Sequence, residues 1–444
     1  MTYLNYINST VSNENGIKWN YYGNYIPTND ILSASVADEF INRYFDNGGK
    51  KYSLIIDPEN SNLLISEYFT DVRRKFVSHR RSEEMYKLPP ERTVHTVSGF
   101  FLGLLIENCL SGTTPIFLDD SDPFLFSYLW FLTFLYHDYG YCVTEGENCF
   151  VQYSRRAPTP ETCPENCKFH EYIPLQTINK KLDIIFSPFR QFTHSRPHVR
   201  APQDSEISMS DLVAKLVQPD NAASDHTELR FSNGSIINGP QYPKLTVARY
   251  LNYCINTRQR VDHGIVGGYL FYDRMVKNYL LAYIGSTNDF SVEQDIKKFS
   301  YNGLKFHKEQ LAVFSYIADC ILSHNIFKQP TNMRALYEEY RLTPLLKENF
   351  KNISFESNPL LYILAISDTL EPIKIYRQHD ANLSAQVIAE AINIEYAPGT
   401  HKLRFSSNSG AVNIRLLHQK AKELTDWTSA TCTNIRNGSF TLKI

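Results

Sequence analysis

The sequence feature that most constrains the fold is a nearly unbroken apolar stretch, DDSDPFLFSYLWFLTFLY, which covers Asp119–Tyr136. Its first residues are acidic and suit a helix N-cap, and the apolar residues that follow indicate a helix. A helix that is apolar on every side has to be buried. The apolar run itself, Phe124–Tyr136, is too short to cross a bilayer, which takes about 20 helical residues. The segment therefore predicts a helical core.

Two polar residues, His137 and Asp138, follow this helix directly, just before Gly140. Burying both without partners would cost several kcal/mol, so the pair predicts a hydrogen-bond network or a metal site. Further polar residues interrupt other apolar, helix-like segments: His95, His263, His324 and Asp368. Any one of these histidines is more often a satisfied core residue, but their joint occurrence favours metal ligation.

Helical periodicity occupies two separate parts of the chain. The segment Glu91–Cys109 predicts one helix, and the pattern returns from Leu245. Between them, residues 141–243 are rich in proline and turn residues and indicate an insertion or lid. After about Tyr376, the pattern predicts a small α+β module from the segments Leu383–Ala391 (helix), Ile392–Tyr396 and Lys402–Ser406 (strands), Val412–Trp427 (helix) and Ser439–Ile444 (strand).

The order of the polar residues resembles the HD-domain metal-dependent phosphohydrolase superfamily, in its two-metal type: His95, then His137-Asp138, then His263, His324 and Asp368. The resemblance covers about residues 91–140 and 245–375. It implies an HD-type helical core. Together with the patterns described above, this makes the expected fold mainly α, with a long irregular insertion and a small α+β C-terminal module. The expected units are therefore 1–90 (an N-terminal α+β layer), 91–140 with 244–375 (the core), 141–243 (the insertion) and 376–444 (the C-terminal module).

The resemblance also implies the ligand sets of two divalent metal ions. By position, one metal would be bound by His95, His137, Asp138 and Asp368, and the other by His263 and His324, with Asp138 bridging the two. Imidazole and carboxylate ligands suit Mn, Fe, Co, Ni, Zn or Mg ions. Such a pair of ions can hold a bridging hydroxide that attacks phosphorus. The implied function is hydrolysis of a phosphoester, of a nucleotide or another small phosphorylated compound.

The chain departs from this pattern at two places. Many two-metal relatives, the cyclic-dinucleotide phosphodiesterases among them, have a lysine where this chain has Tyr141. The interval between Asp138 and His263 is also far longer than is usual in the family, so the resemblance does not give the substrate. Positive charge for a phosphate could come instead from Lys374, Arg258 or Arg260, although solvated helix ends explain these residues equally well. His307 is a candidate proton donor, with a capping role as the alternative.

Four cysteines of the insertion, Cys142, Cys149, Cys163 and Cys167, are candidate ligands of a structural zinc, although only the last two have the tight spacing of such sites. The segment Phe189–Arg200 mixes Arg, His and Phe as a nucleotide-binding surface does, but a basic loop is the simpler interpretation. The formal net charge of −2 gives no support to nucleic acid as a partner. The lack of an apparent secretory signal and the scattered cysteines lead us to expect a cytoplasmic protein without a membrane segment, whose oligomeric state the sequence leaves open.

Two other functions remain open at this point. Some HD-type proteins with a similar ligand set are di-iron oxygenases, which cleave carbon–carbon or carbon–phosphorus bonds with O₂. The metals could also only connect helices in a non-catalytic, nucleotide-sensing protein. Activity without O₂ separates the hydrolase from the oxygenase, and binding without product indicates the sensor.

Overall fold

A computed structural model of the chain describes residues 1–6, 90–110, 116–117, 126–141, 229–231, 234–237, 239–258, 261–272, 275–276, 298–301, 304–307, 310–410 and 412–444. Almost all of the predicted N-terminal layer lies outside these residues. Most of the predicted insertion, with Cys142, Cys149, Cys163, Cys167 and the Phe189–Arg200 segment, lies outside them as well. The unit boundaries expected from the sequence, the lid and the zinc site therefore stay predictions.

Helices make up 57% of the described residues, so the mainly α prediction is confirmed. The helices are α1 (Pro90–Leu110), α2 (Phe126–His137), α3 (Lys244–Arg258), α4 (263–272), α5 (Gln310–Ser323), α6 (Arg334–Glu339), α7 (Pro359–Leu370), α8 (Pro372–His379), α9 (Ala385–Ala391) and α10 (Ile414–Thr425). Two 3₁₀ turns, Thr331–Met333 and Thr343–Leu345, flank α6. In the part of the chain that the structure describes, no helix is long and apolar enough to cross a membrane.

Three antiparallel sheets accompany the helices among the residues that the structure describes. Their strands are β1 (Ile116–Phe117), β2 (Leu229–Phe231), β3 (Ile236–Ile237), β4 (Lys298–Tyr301), β5 (Leu304–His307), β6 (Ile392–Tyr396), β7 (Lys402–Ser407), β8 (Thr431–Cys432) and β9 (Ser439–Lys443). The strand orders are β1-β2-β3, β4-β5 and β6-β7-β9-β8. The third sheet belongs to the C-terminal segment, so the small α+β module expected there is present as a four-stranded antiparallel sheet with α9 and α10.

Two helices of the apolar core, α1 and α2, pack closely because glycines of α1 face aromatic side chains of α2. A Cβ built on Gly103 would lie 1.9 Å from Cζ2 of Trp130, and one built on Gly99 would lie 2.2 Å from Cζ of Phe134. The fully buried Trp130 donates from Nε1 to the carbonyl oxygen of Phe100 at 2.9 Å. The all-apolar character of α2 is thus explained by its burial against α1 and, on another side, α5.

The C-terminal module follows the sequence periodicity closely. Strands β6 and β7 pair over five residues each, with Ile394 opposite Phe405, and buried residues alternate along both strands. Helix α10 buries Leu417, Ala421 and Leu424 on one face, which is the spacing of an amphipathic helix. It packs on α7, so the module is joined to the helical core.

Candidate metal centre

The end of α2 brings His137 and Asp138 into the interior. His137 is its last residue, and Asp138 begins the turn that follows. A Cβ on Gly140 would lie 1.9 Å from the backbone oxygen of His263, a separation that real Cβ atoms do not show. Glycine at position 140 therefore allows the backbone after α2 to approach the first turn of α4, where His263 lies.

A first group of candidate ligands comprises His95 of α1, His137 of α2 and Asp368 of α7, whose ligand atoms all lie within 4.8 Å of one another. Nε2 of His95 lies 3.0 Å from Oδ1 of Asp368 and 3.3 Å from Nε2 of His137. Nε2 of His137 lies 3.5 Å from the same Asp368 oxygen. Both histidines are buried. This group could hold a metal ion.

A second group comprises Asp138, His263 and His324, again with ligand atoms within 4.8 Å of one another. Nε2 of His263 lies 3.3 Å from Oδ1 of Asp138. The imidazole rings of His263 and His324 meet edge to face with centroids 5.2 Å apart. This group could hold a metal ion as well.

Asp138 connects the two groups. Its Oδ1 lies 3.5 Å from Nε2 of His137, a member of the first group, and 3.3 Å from Nε2 of His263, a member of the second. Its Oδ2 lies 3.9 Å from Nε2 of His95. One carboxylate thus borders ligands on both sides, and all six residues singled out from the sequence are brought together.

Backbone carbonyls orient two of the imidazole rings. Nδ1 of His137 donates to the oxygen of Phe134 at 2.6 Å, and Nδ1 of His324 donates to the oxygen of Ile321 at 2.5 Å. Each bond reaches back three residues along the chain and leaves Nε2 as the nitrogen with a free lone pair, which is how a neutral histidine binds a metal. Two helix ends therefore present their histidines in the same way.

The Nε2 atom of His324 has no hydrogen-bond partner among the described residues, although the side chain is only 2% exposed. Burial, with His263 nearby, lowers the pKa of His324 to about 4, so its imidazole is neutral at physiological pH. A buried, unpartnered acceptor is costly unless something fills it. A cation at the second group would satisfy this nitrogen.

Glu371 is a residue of the site that sequence reasoning missed. It is fully buried, its Oε2 accepts from Nδ1 of His95 at 3.3 Å, and its Oε1 accepts from Oγ of Ser98 at 2.6 Å. It also caps α8 by accepting from the backbone nitrogens of Ile373 and Lys374. Metal-binding histidines commonly donate their second nitrogen to a carboxylate, which fixes the ring. The sequence signal was the Glu-Pro pair at a helix start, which predicts only a cap.

Lys374 lies beside the first group, and its Nζ bonds Oδ1 of Asp368 at 2.5 Å. Burial alone would raise the pKa of the Asp368 carboxyl, but Lys374 and hydrogen bonds from His137 and His95 outweigh it and hold the pKa well below its usual range. Burial and Lys374 would lower the pKa of His95, but hydrogen bonds with Asp368 and Glu371 outweigh them and raise it. The surroundings of His95 therefore favour a positive charge.

The Tyr141 ring stacks on the His263 imidazole with ring centroids 3.7 Å apart and planes 19° apart. Nδ2 of Asn325 lies 3.0 Å and 2.9 Å from the two ring nitrogens of the same histidine. Unlike His137 and His324, His263 is thus positioned by neighbouring side chains.

The other predicted site residues lie apart from these contacts or outside the described residues. The Arg258 guanidinium lies over the Tyr253 ring, 5.2 Å from its centroid, at the end of α3. Arg260 is not among the described residues. His307 is the last residue of β5 and pairs with Lys298 of β4, but its side chain lies outside the described part.

Comparisons with protein-family models, with curated proteins and with solved structures give no match for this chain. The candidate centre is therefore characterised by its own geometry: two adjacent groups of buried histidine and aspartate side chains, connected by Asp138, that could hold metal ions.

Proposed function

We propose that the chain is an HD-type metal-dependent phosphohydrolase that cleaves a phosphoester of a nucleotide or another small phosphorylated compound. The observation that carries the proposal is the position of Asp138, whose Oδ1 lies 3.5 Å from Nε2 of His137 and 3.3 Å from Nε2 of His263. A carboxylate between two sets of imidazoles is what a bridging ligand of two metals requires.

In this proposal, His95, His137, Asp138 and Asp368 hold one divalent metal ion, and His263 and His324 hold the other, with Asp138 shared. All donors are imidazole nitrogens or carboxylate oxygens, which suit Mn, Fe, Co, Ni, Zn or Mg ions. Asp138, Asp368 and Glu371 bring three carboxylates to the site, while Lys374 brings one ammonium. This excess of negative charge, in a buried place, supports occupation by cations.

Bound metals of this type orient a phosphate, lower the pKa of a bound water and stabilise the charge of the transition state. The residues of the chain hold the ligands in place for this chemistry. The carbonyls of Phe134 and Ile321 and the carboxylate of Glu371 fix three imidazole rings, so little reorganisation is needed when a substrate binds.

Lys374 is the cation that we assign to the substrate phosphate, since Tyr141 replaces the lysine of related proteins. Its ammonium already lies at Asp368, so it is positioned to offset negative charge that develops beside the first group. Arg258 and Arg260, at and after the end of α3, remain candidates for a second contact with the phosphate. His307 remains the candidate that protonates the leaving group.

The test combines metal analysis with an anaerobic assay. Protein purified without chelator is expected to contain two metals per chain and to hydrolyse members of a phosphoester panel equally well with and without O₂. His324→Ala should lose one metal and the activity. The matched control is His418→Ala, a buried histidine that bonds the Thr433 carbonyl in the C-terminal module, and it should keep both.

Three outcomes would contradict the proposal. Product formation only with O₂ would indicate the di-iron oxygenase. Two bound metals and tight nucleotide binding without any product would indicate a structural metal site in a sensing protein. The metal centre itself would be refuted if the parent protein bound fewer than one metal per chain while fully stable, and if His324→Ala had the same metal content and stability as the parent.

A further inference from the structure

A cavity of about 660 Å³ adjoins the candidate metal centre. Asp368 of the first ligand group forms part of its wall, and Asn325, which contacts His263 of the second group, forms another part. Lys374 also lines it, beside Asp368. The cavity therefore adjoins both ligand groups, and a molecule bound in it would reach the metal centre.

The C-terminal module contributes part of the cavity wall. Trp427, which follows α10, lines the cavity and packs edge to face on Phe327 with ring centroids 5.0 Å apart. Lys420 of α10 lines it as well and bonds Oε2 of Glu423 at 2.6 Å. Residues more than fifty positions beyond the last candidate ligand, Asp368, thus shape the space in front of the metals.

Two lysines of the cavity wall, Lys328 and Lys347, have no carboxylate within ion-pair distance among the residues that the structure describes. The two other lysines of the wall differ in this respect, because Lys374 pairs with Asp368 and Lys420 pairs with Glu423. Glu348, next to Lys347 in the chain, bonds Arg334 instead. The charge of Lys328 and Lys347 is therefore available to a ligand.

An isolated parallel bridge between Gln329 and Leu346 holds the two backbone segments that carry these lysines side by side. The backbone nitrogen of Gln329 donates to the oxygen of Leu345 at 2.8 Å, and that of Lys347 donates to the oxygen of Gln329 at 3.0 Å. Lys328 is half-buried and Lys347 is exposed at the rim. Two ammonium groups on a fixed backbone beside a cavity provide a site for an anionic group such as phosphate or carboxylate.

We infer that the substrate carries two anionic groups, one reacting at the metals and a second bound by Lys328 and Lys347, with the part between them lying against Phe327 and Trp427. This inference rests on the proposed hydrolase function and deepens it, because it names the substrate class. It also assigns part of the specificity to the C-terminal module, in addition to any contribution from residues 141–243.

The test uses probes that cannot be hydrolysed. Alkane-α,ω-bisphosphonates of two to ten carbons, and alkylphosphonates of the same lengths, are titrated into the metal-loaded full chain by calorimetry, with Trp fluorescence as a second readout. At one range of lengths, the bisphosphonate should bind at least tenfold more tightly than its matched monophosphonate. The gain should disappear in Lys328→Gln/Lys347→Gln. It should persist in Lys351→Gln, which removes an exposed lysine outside the cavity wall.

The inference is overturned if no length gives a gain, or if the gain survives in the double variant and therefore comes from the metals alone. A parallel phosphoester assay separates the two proposals. Hydrolysis without any gain for bisphosphonates leaves the hydrolase standing and removes the second anion site. A lysine-dependent gain in affinity without hydrolysis of any phosphoester would support the anion site and refute the hydrolase function.

Discussion

Oε2 of Glu371 lies 3.3 Å from Nδ1 of His95, although the two residues are 276 positions apart in the chain. Glu371 is at the same time the N-cap of α8, which begins two residues after α7 ends. The same side chain therefore fixes the direction of a helix and the orientation of a candidate metal ligand.

Glu371→Gln should weaken metal binding while the protein stays folded. Glutamine can still accept hydrogen bonds at the start of α8, but its neutral amide is a weaker partner for a metal-binding His95. Loss of such an outer contact typically costs about 10- to 100-fold in metal affinity. Competition with a fluorescent chelator measures this. An unchanged affinity would show that His95 is oriented by its other contacts.

The control for this experiment is Glu390→Gln. Glu390 is exposed on α9, within the C-terminal module and away from the ligand groups. Its replacement should leave metal affinity within twofold of the parent protein. A loss equal to that of Glu371→Gln would point to a general effect of lowering the negative charge.

Asp138→Ala should reduce the metal content for both groups, because its carboxylate lies between them. Without it, two adjacent cations would repel each other with less compensation. The metal content, measured by elemental analysis, and the rate of phosphoester hydrolysis should fall together. If the variant keeps two metals per chain and full turnover, Asp138 does not bridge them.

Gly140→Ala should destabilise the protein and displace His263. The added Cβ would lie 1.9 Å from the backbone oxygen of His263, so the chain after α2 or the start of α4 has to move. Thermal unfolding should report a loss of about 1–3 kcal/mol, the usual cost of overpacking, and metal affinity should fall with it. Gly410→Ala is the matched control, since a Cβ there has nothing within 4 Å. Equal stability of both variants would contradict the close approach.

Asp319→Asn should change how stability depends on pH. Burial raises the pKa of the Asp319 carboxyl to about 7, despite hydrogen bonds from the Gln241 backbone nitrogen and Ser323 Oγ. The folded state therefore keeps the proton that the unfolded chain releases near pH 4. Stability from this group is complete below about pH 4 and is lost as pH rises to about 7, by up to about 1.4 kcal/mol per pH unit.

The difference in unfolding free energy between the parent protein and Asp319→Asn isolates this effect from other titrating groups. Between pH 4 and pH 7, the unfolding free energy of the parent protein should fall relative to that of the variant, and above pH 7 the difference should stay constant. Neighbouring groups remain neutral in this range because burial raises their pKa values; these are Tyr242, Tyr316 and Cys320. Asp380→Asn, at an exposed residue, is the control. A constant difference across the range would contradict the raised pKa.

The sequence by itself determined the elements whose patterns are local. Helix α1 occupies Pro90–Leu110, where Glu91–Cys109 was expected, and β6 occupies Ile392–Tyr396 as expected. Apolar periodicity reports which face of a segment is buried, so it needs no knowledge of the partner. Helix α2 occupies Phe126–His137, largely within the expected segment Asp119–Tyr136, whose first residues lie outside the described part.

The sequence also singled out the six polar residues of the candidate centre, since each interrupts an apolar segment. How these residues are grouped was decided by the tertiary structure, which brings His95, His137 and Asp368 together and places Asp138 with His263 and His324. Asp138 still lies within 3.5 Å of His137, so it borders both groups. The order of the ligands along the chain does not determine these distances, because they depend on how five helices, α1, α2, α4, α5 and α7, meet.

Only the tertiary structure determined the contact of Glu371 with His95, the ion pair between Asp368 and Lys374, and the position of the cavity lysines. In the sequence, Glu371 is an ordinary cap before proline, and Lys328 and Lys347 are ordinary surface lysines. The two lysines line the cavity only because α7 and α10 pack together and because residues 328–330 pair with residues 345–347. Contacts between distant residues leave no periodic signal, and their energy depends on burial and neighbouring charge, which exist only in the folded chain.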